Sequence, residues 1–257
     1  MRLLAKIGGT LLDQPESQRR LARELAEVGR DGAALVVVHG GGKQMTRFLE
    51  ERGIQSRFVG GLRVTTAETL DAVLKVLAGS VNSKLVAALV EAGARAVGLS
   101  GVDACLVEAE PLSEELGAVG RPVRADTALL ELLSSKGYLP VVACVAGDRQ
   151  GRIYNVNADQ MASVLAAAFR VERLILLTDV AGVLGPDRRR IPSLTCDQAE
   201  ELVRQGVATG GMQAKLTAAA EALRGGVGEV LIAPGAEREV VARLLGGESI
   251  GTRLVRG

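Results

Sequence analysis

Ile153-Tyr154-Asn155-Val156-Asn157-Ala158-Asp159-Gln160 sets two amides and a carboxylate at every second position, then runs into an Ala-, Val- and Leu-rich stretch from Met161 to Phe169. The stretch closes a polar turn and opens a helix. A helix mouth carries free N–H groups and the positive end of the helix dipole, which suits an anion. The simpler reading is an Asn/Asp turn that caps the helix. What the rest of the chain brings to this turn decides between them.

On both sides of it, short apolar runs alternate with longer amphipathic stretches. That pattern predicts an α/β fold, an open and mostly parallel sheet sandwiched between helices. Strands are expected at Leu3–Ile7, Leu35–His39, Ala96–Leu99, Pro140–Val145, Leu174–Thr178 and Val230–Ala233. Helices are expected at Glu16–Val28, Gly42–Arg52, Ala67–Ala78, Asn82–Ala92, Thr127–Lys136, Asp159–Phe169, Asp197–Gln205, Met212–Arg224 and Glu237–Leu245. Thr65 with Glu68, and Thr195 with Gln198, have the spacing of capping boxes. Cys105–Val123 reads as short strands and a hairpin inserted between α/β units, and Ser56–Thr65 as a second hairpin. The 257 residues suit one large domain or two lobes sharing a sheet, 1–171 and 172–257, with no linker at the change near Arg170–Arg173.

Lys plus Arg number 31 against 30 Asp plus Glu, a net charge of +1, so nothing calls for nucleic acid or an anionic membrane as partner. Trp is absent and aromatics are few, which disfavours base-stacking platforms. Cys105, Cys144 and Cys196 are far apart and fit buried thiols of a reducing compartment better than disulfides or a metal cluster. Lys6 and the glycine pair interrupt the N-terminal apolar run too early for a signal segment, and no uncharged apolar run reaches membrane-spanning length. The expectation is a soluble cytoplasmic protein.

Glycine-rich segments follow several of the strands. Lys6-Ile7-Gly8-Gly9-Thr10 would let backbone N–H groups approach a phosphate, with Lys6 aimed at the same place; a tight turn with an exposed lysine fits the pentapeptide equally well. His39-Gly40-Gly41-Gly42-Lys43 fails the dinucleotide pattern because residue 45 is Met, and fails the Walker A pattern because Gln44 follows Lys43. Three glycines opening a helix still suggest an anion cradle. His39, the only histidine, sits on the strand side and reads as structural, and Lys43 as a solvated charge. Arg63, on the second arm of the Ser56–Thr65 hairpin, could grip a carboxylate, although most arginines are solvated. Thr178-Asp179-Val180-Ala181-Gly182 lies just past a strand end, the usual ligand side of an open α/β sheet. Thr209-Gly210-Gly211-Met212-Gln213-Ala214-Lys215 opens a helix with a single cation in its first turns.

Together these pieces resemble the acetylglutamate kinases of the amino acid kinase superfamily. The resemblance rests on Lys6-Ile7-Gly8-Gly9, His39-Gly40-Gly41-Gly42, Gly61-Leu62-Arg63-Val64-Thr65, Asn155 to Gln160, Thr178 to Gly182, and Gly210-Gly211-Met212 with Lys215, in the family's order and spacing. Gly251-Thr252-Arg253 is similar to its last strand. The resemblance implies transfer of the ATP γ-phosphoryl to the side-chain carboxylate of N-acetyl-L-glutamate, giving an acyl phosphate in arginine biosynthesis. It implies catalytic roles for Lys6, Lys215, Asp159 and Gly9, with Asp159 pairing both lysines and Gly8, Gly9 and Gly41 giving N–H donors. Gly41, Gly42, Arg63, Asn155 and Asn157 would hold acetylglutamate in an N-terminal lobe. Gly8, Thr178, Asp179, Gly182, Leu184, Thr209, Gly210 and Gly211 would bed the nucleotide of the C-terminal lobe, with Mg²⁺ arriving on ATP and no metal residue in the chain. The chemistry agrees with the residues. A glutamate-type carboxyl has a pKa of about 4.3, so the nucleophile is already ionised and needs no base; positioning and positive charge suffice.

Gln213-Ala214 stand where family members often carry Pro and apolar residues, and Lys43-Gln44 where small or apolar residues also occur; neither pair is expected to touch chemistry. With the first strand beginning almost at Met1, no arginine-sensing N-terminal helix is expected, hence a homodimer insensitive to arginine. Three rivals share some of these features. Carrier-linked aminoadipate or glutamate kinases tend to replace Asn-Val-Asn-Ala-Asp. A non-catalytic sensor would be expected to lose Lys6, Asp159 or Lys215. A nicotinamide oxidoreductase would need the glycine fingerprint that fails at Met45.

Overall fold

The computed structural model describes residues 1–257. In chain order, β1 (Arg2–Ile7) leads to α1 (Pro15–Arg30), and β2 (Ala34–His39) to α2 (Gly42–Glu50). The hairpin β3 (Phe58–Val59) and β4 (Leu62–Arg63) precedes α3 (Ala67–Val73), which continues through a π-helical segment, Leu74–Val81, into α4 (Asn82–Glu91) and then β5 (Ala96–Ser100). Next come β6 (Val107–Pro111), β7 (Val119–Ala125), α5 (Ala128–Ser135), β8 (Leu139–Ala143), β9 (Val145–Gly147), β10 (Ile153–Val156) and α6 (Ala158–Ala168). The chain ends with β11 (Arg173–Thr178), β12 (Ser193–Thr195), α7 (Cys196–Arg204), α8 (Gly210–Arg224), β13 (Glu229–Pro234), α9 (Val240–Leu245) and β14 (Thr252–Val255).

Eight strands form one sheet in the order β12-β14-β13-β11-β1-β2-β8-β5. It is parallel from β13 to β5, and β14 runs antiparallel to β13. Sequence order reverses at β1, since β2 is added on one side and β11 on the other. Right-handed crossovers in opposite directions send their helices to opposite faces. Accordingly α1 packs with α4 and α9, and α6 packs with α8 over β1, β2 and β11. A strand covered on both faces must be apolar throughout; Leu3, Leu4, Ala5 and Ile7 of β1 are all 0% exposed. A second, small sheet joins β10, β7, β6 and β9 in a closed ring and sets β10, with Asn155, beside the first turn of α6.

The fold differs from the expectation in several places; among them, the stretch expected as one strand at Pro140–Val145 is divided between β8 of the main sheet and β9 of the small one, and β10 and β12 were not expected. Residues 67–91 are one helical run rather than two helices; the π turns absorb Gly79 and Ser80 without a break, because Asn82 at its far end keeps helical dihedrals. This run is also long and apolar enough to span a bilayer, but Val73, Leu77, Leu85 and Leu89 join the core and tie it to the globular body. The cap of α3 is Thr66, whose hydroxyl accepts from Thr69 N, not Thr65; Thr65 is buried and committed to Arg63 O and to the backbone of Leu116 and Ala118. Cys105 is exposed, whereas Cys144 and Cys196 are buried, and all three thiols are free. The capping box at Thr195 and Gln198 is present, and both hairpins are where the sequence puts them.

Gly251 has φ +71, and a Cβ there would strike the Ile232 carbonyl and lie 2.8 Å from Ala233 Cα. Gly251→Ala should therefore destabilise the fold by more than about 2 kcal/mol in urea unfolding. Thr195→Ala should cost about 1 kcal/mol by losing one cap.

Candidate active site

The reversal at β1 opens a crevice at the carboxyl ends of β1, β2 and β11, where ligands of open α/β sheets bind. Lys6 is the penultimate residue of β1 and points under α6. Its Nζ lies 2.8 Å from Asp159 Oδ1, and Lys215 Nζ, from the second turn of α8, lies 3.2 Å from Asp159 Oδ2. Lys6 and Asp159 are each only 5% exposed. Burial by itself would raise the Asp159 carboxyl; the ammonium groups of Lys6 and Lys215 overcome that and hold it below the usual carboxylate range. The trio is one anion between two cations, so it keeps a surplus positive charge facing the crevice.

Asn157 explains why Asp159 stands where it does. Its Oδ1 accepts from Asp159 N at 2.9 Å and Gln160 N at 3.2 Å, capping α6. The mouth of α6 is therefore filled by its own cap, and its contribution to the site is the Asp159 carboxylate, not free N–H groups. Open donors lie elsewhere. The N–H groups of Gly9 and Gly41 donate to no group of the chain, whereas Gly8 N–H is spent on Leu177 O at 3.1 Å and Gly40 N–H on Ile7 O at 3.2 Å. Gly8 is thus not a free backbone donor, which corrects the reading from sequence. The two loops touch. A Cβ on Gly9 would lie 2.9 Å from Gly42 N and 3.0 Å from Gly41 Cα, so only glycine allows this approach. Gln44 clips the loops together by donating to Gly9 O at 3.1 Å.

Beside Gly42 a second group assembles. Arg63 is 9% exposed, stacks on the Phe58 ring, and donates to Ser56 Oγ, to Gly42 O at 3.2 Å and to Thr46 Oγ1 at 2.8 Å. Burial draws its pKa down against the charge of Glu50. Thr65 links the group onward, donating to Arg63 O at 2.9 Å and accepting from Asn155 Nδ2 at 3.1 Å. Gly42, Arg63 and Asn155 are thus brought together, while the side-chain oxygen of Asn157 is turned to its helix. Ser56, Thr46 and Phe58 escape a reading by sequence, because each is ordinary in type and gains meaning only from its partner in space; Thr65 reads in sequence as a cap and Gln44 as set apart from the chemistry, and their roles here also come from spatial partners.

On the other side of β1, Thr178 ends β11 and its hydroxyl faces the Asp179 carboxylate at 3.3 Å. Asp179 and Leu184 are exposed, and Leu184 bridges to Arg190. Gly182 has a packing reason of its own: at φ +137 a Cβ would lie 2.8 Å from Thr252 Oγ1, which accepts from Val183 N. Thr209, Gly210 and Gly211 are exposed at the start of α8, and Thr209 makes no side-chain cap, leaving that helix mouth open. Lys43 is exposed and outside these groups.

The profile of the amino acid kinase family matches residues 1–234. The chain is 60% identical over 255 residues to an acetylglutamate kinase of Solibacter usitatus, covering 99% of each. It is 44% identical over 246 residues to an acetylglutamate kinase of Acidobacterium capsulatum, covering 95% of each. Among solved structures, an N-acetylglutamate synthase of Neisseria gonorrhoeae complexed with coenzyme A and N-acetyl-glutamate superposes with TM-score 0.89 at 26% identity, over 100% of this chain and 59% of that one. A carbamate kinase of Giardia lamblia bound to AMP-PNP shares the fold, with TM-score 0.75 at 15% identity over 100% of this chain and 98% of that one.

Asp159→Asn should destabilise the fold by about 3 kcal/mol at pH 7, because the buried Lys6 ammonium and the part-buried Lys215 ammonium lose their counter-ion. The sign with pH follows from the lowered native pKa. The stabilisation by Asp159 is complete above its unfolded pKa of about 3.9 and is lost as pH falls through the lower native value. Urea unfolding should show the gap between wild type and Asp159→Asn constant from pH 8 to 5 and shrinking only below about pH 4.

Proposed function

The chain belongs to the amino acid kinase family, and from that premise we propose how its residues carry out the phosphorylation of N-acetyl-L-glutamate by ATP. The acceptor is the side-chain carboxylate. One of its oxygens forms a bond to the γ-phosphorus as the bond from that phosphorus to the β,γ-bridging oxygen breaks, and ADP leaves with the electron pair. No proton moves, so no general base is required, in keeping with a site whose nearest imidazole is fully buried. The observation that carries the reading is the Lys6–Asp159–Lys215 arrangement at the sheet's switch point.

The transferring group spreads negative charge over its equatorial oxygens, and catalysis rests on positive charge and donors fixed in advance. Lys6 and Lys215 flank it, held apart and in place by Asp159. Gly9 and Gly41 offer their unspent N–H groups. Arg63 and Asn155 receive the α-carboxylate end of acetylglutamate, with Gly42 beside them, and Asn157 supports the pocket by fixing the turn. The residues to about 171 form the acetylglutamate lobe and those from 172 the nucleotide lobe, where Thr178 to Leu184 and the open mouth of α8 at Thr209 to Gly211 bed ATP. Mg²⁺ would come with the nucleotide and neutralise charge on its phosphates; both oxygens of Asp159 are engaged by lysines, so this carboxylate would not be free to hold it.

A homodimer fits the surface. β5 is one edge of the sheet, and α4, packed on β5, and α5, packed on β8, leave Val90 and Leu132 54% and 58% exposed. The free thiols and the use of ATP suit the cytoplasm.

An ATP- and Mg²⁺-dependent hydroxamate assay should give signal with N-acetyl-L-glutamate and little with L-glutamate, L-aspartate or N-acetyl-L-aspartate; a preference for another acid would overturn the substrate. Lys215→Ala should lower kcat roughly 10²–10³-fold while moving the ATP KM little. Arg63→Ala should raise the acetylglutamate KM about 10- to 100-fold. Reversal of these two effects would refute the assigned roles. Light scattering should report a dimer.

A further inference from the structure

His39 takes no direct part in the proposed reaction, yet its ring is tied to the phosphate loop by a chain of hydrogen bonds that leaves one protonation pattern. Asn82, at the start of α4 and 5% exposed, points its Nδ2 at Val141 O at 3.0 Å and at Leu99 O at 3.4 Å. Carbonyls only accept, so this end of the amide is the donor. The same Nδ2 lies 3.0 Å from His39 Nε2, which must therefore accept. The remaining nitrogen, Nδ1, then carries the proton and donates to Gly40 O at 2.9 Å. Burial pushes the imidazole pKa down to about 4 against the pull of the Gly40 carbonyl, so the ring is neutral at working pH.

The Gly40 carbonyl and the Gly41 N–H belong to one planar trans peptide and point in opposite directions. Holding the first aims the second. We infer that His39, oriented by Asn82, is a positioning residue that locks the Gly40–Gly41 peptide so that Gly41 N–H faces the transferring phosphoryl group. A loop of three glycines has little stiffness of its own, since each glycine gives up more conformational freedom than any other residue. The buried ring supplies the stiffness. Gly98 fits the same scheme, for a Cβ there would collide with the Asn82 amide.

The inference rests on the kinase reading for what Gly41 faces, but the hydrogen-bond chain can be tested apart from activity. His39 is the only histidine, so its ring nitrogens give a single set of signals. Nitrogen-15 NMR of the wild-type protein at pH 7 should show the neutral Nδ1–H tautomer; the Nε2–H tautomer or a charged ring would overturn the chain. Kinetics then test its purpose. His39→Leu should lower kcat per folded molecule roughly 10- to 100-fold with the acetylglutamate KM little changed. His39→Asn puts an N–H donor at the place of Nδ1 and should recover most of the loss. His39→Gln puts its amide at the place of Nε2 and should not. Equal activity of the Asn and Gln variants, or a loss that tracks the folded fraction alone, would refute the positioning role. If none of the variants folds, the tautomer of the wild-type ring still decides whether the lock exists.

Discussion

A buried carboxylate held between two ammonium groups is the constraint from which the site takes its form. Lys6, Asp159 and Lys215 come from the central strand and from two helices that pack on each other above it. Any one of these charges would be costly to bury alone. Together they fix three elements at one point, and their leftover positive charge faces the crevice. The same arrangement that makes the burial tolerable makes the crevice suited to phosphates.

Around that point the backbone does as much as the side chains. The loops after β1 and β2 lie in contact because Gly9 has no Cβ to hold them apart, and they leave N–H groups, those of Gly9 and Gly41 among them, without an internal partner. Their stiffness comes from outside the loops, from Gln44 on the Gly9 carbonyl and from His39 on the Gly40 carbonyl. Donors fixed before the substrate arrives need no rearrangement at the moment of transfer, which is where preorganised electrostatics gain over water. The group around Arg63 is built likewise, its guanidinium clamped by Ser56, Thr46 and Gly42 O.

The alternation of apolar runs and amphipathic stretches was enough to read the parallel body of the main sheet but not its short strands β12 and β14, since strands buried on both faces leave an unmistakable pattern, as in Leu35–His39 and Leu174–Thr178. Short strands left no such pattern. β9 and β10 have three and four residues and owe their existence to pairing in the small closed sheet. Thr65 looked like a helix cap because its spacing to Glu68 is right; its neighbour Thr66 takes the cap because Thr65 is drawn into the core between Arg63 and Asn155. The glycine loops announced an anion site, but which N–H groups are free depends on neighbouring strands, so the commitment of Gly8 to Leu177 could not be read in one dimension. Gln44 was set aside for the same reason, its only partner being a carbonyl 35 residues earlier.

On the proposed mechanism the two lysines, spaced by Asp159, flank the phosphoryl group in flight. A crystal structure with ADP, Mg²⁺, aluminium fluoride and N-acetyl-L-glutamate tests it most directly, since the fluoride stands in for that group. Nζ of both Lys6 and Lys215 should lie within about 3.2 Å of fluorine atoms, with Asp159 still between them. A fluoride met by neither lysine, or by one while the other stays paired only with Asp159, would contradict it.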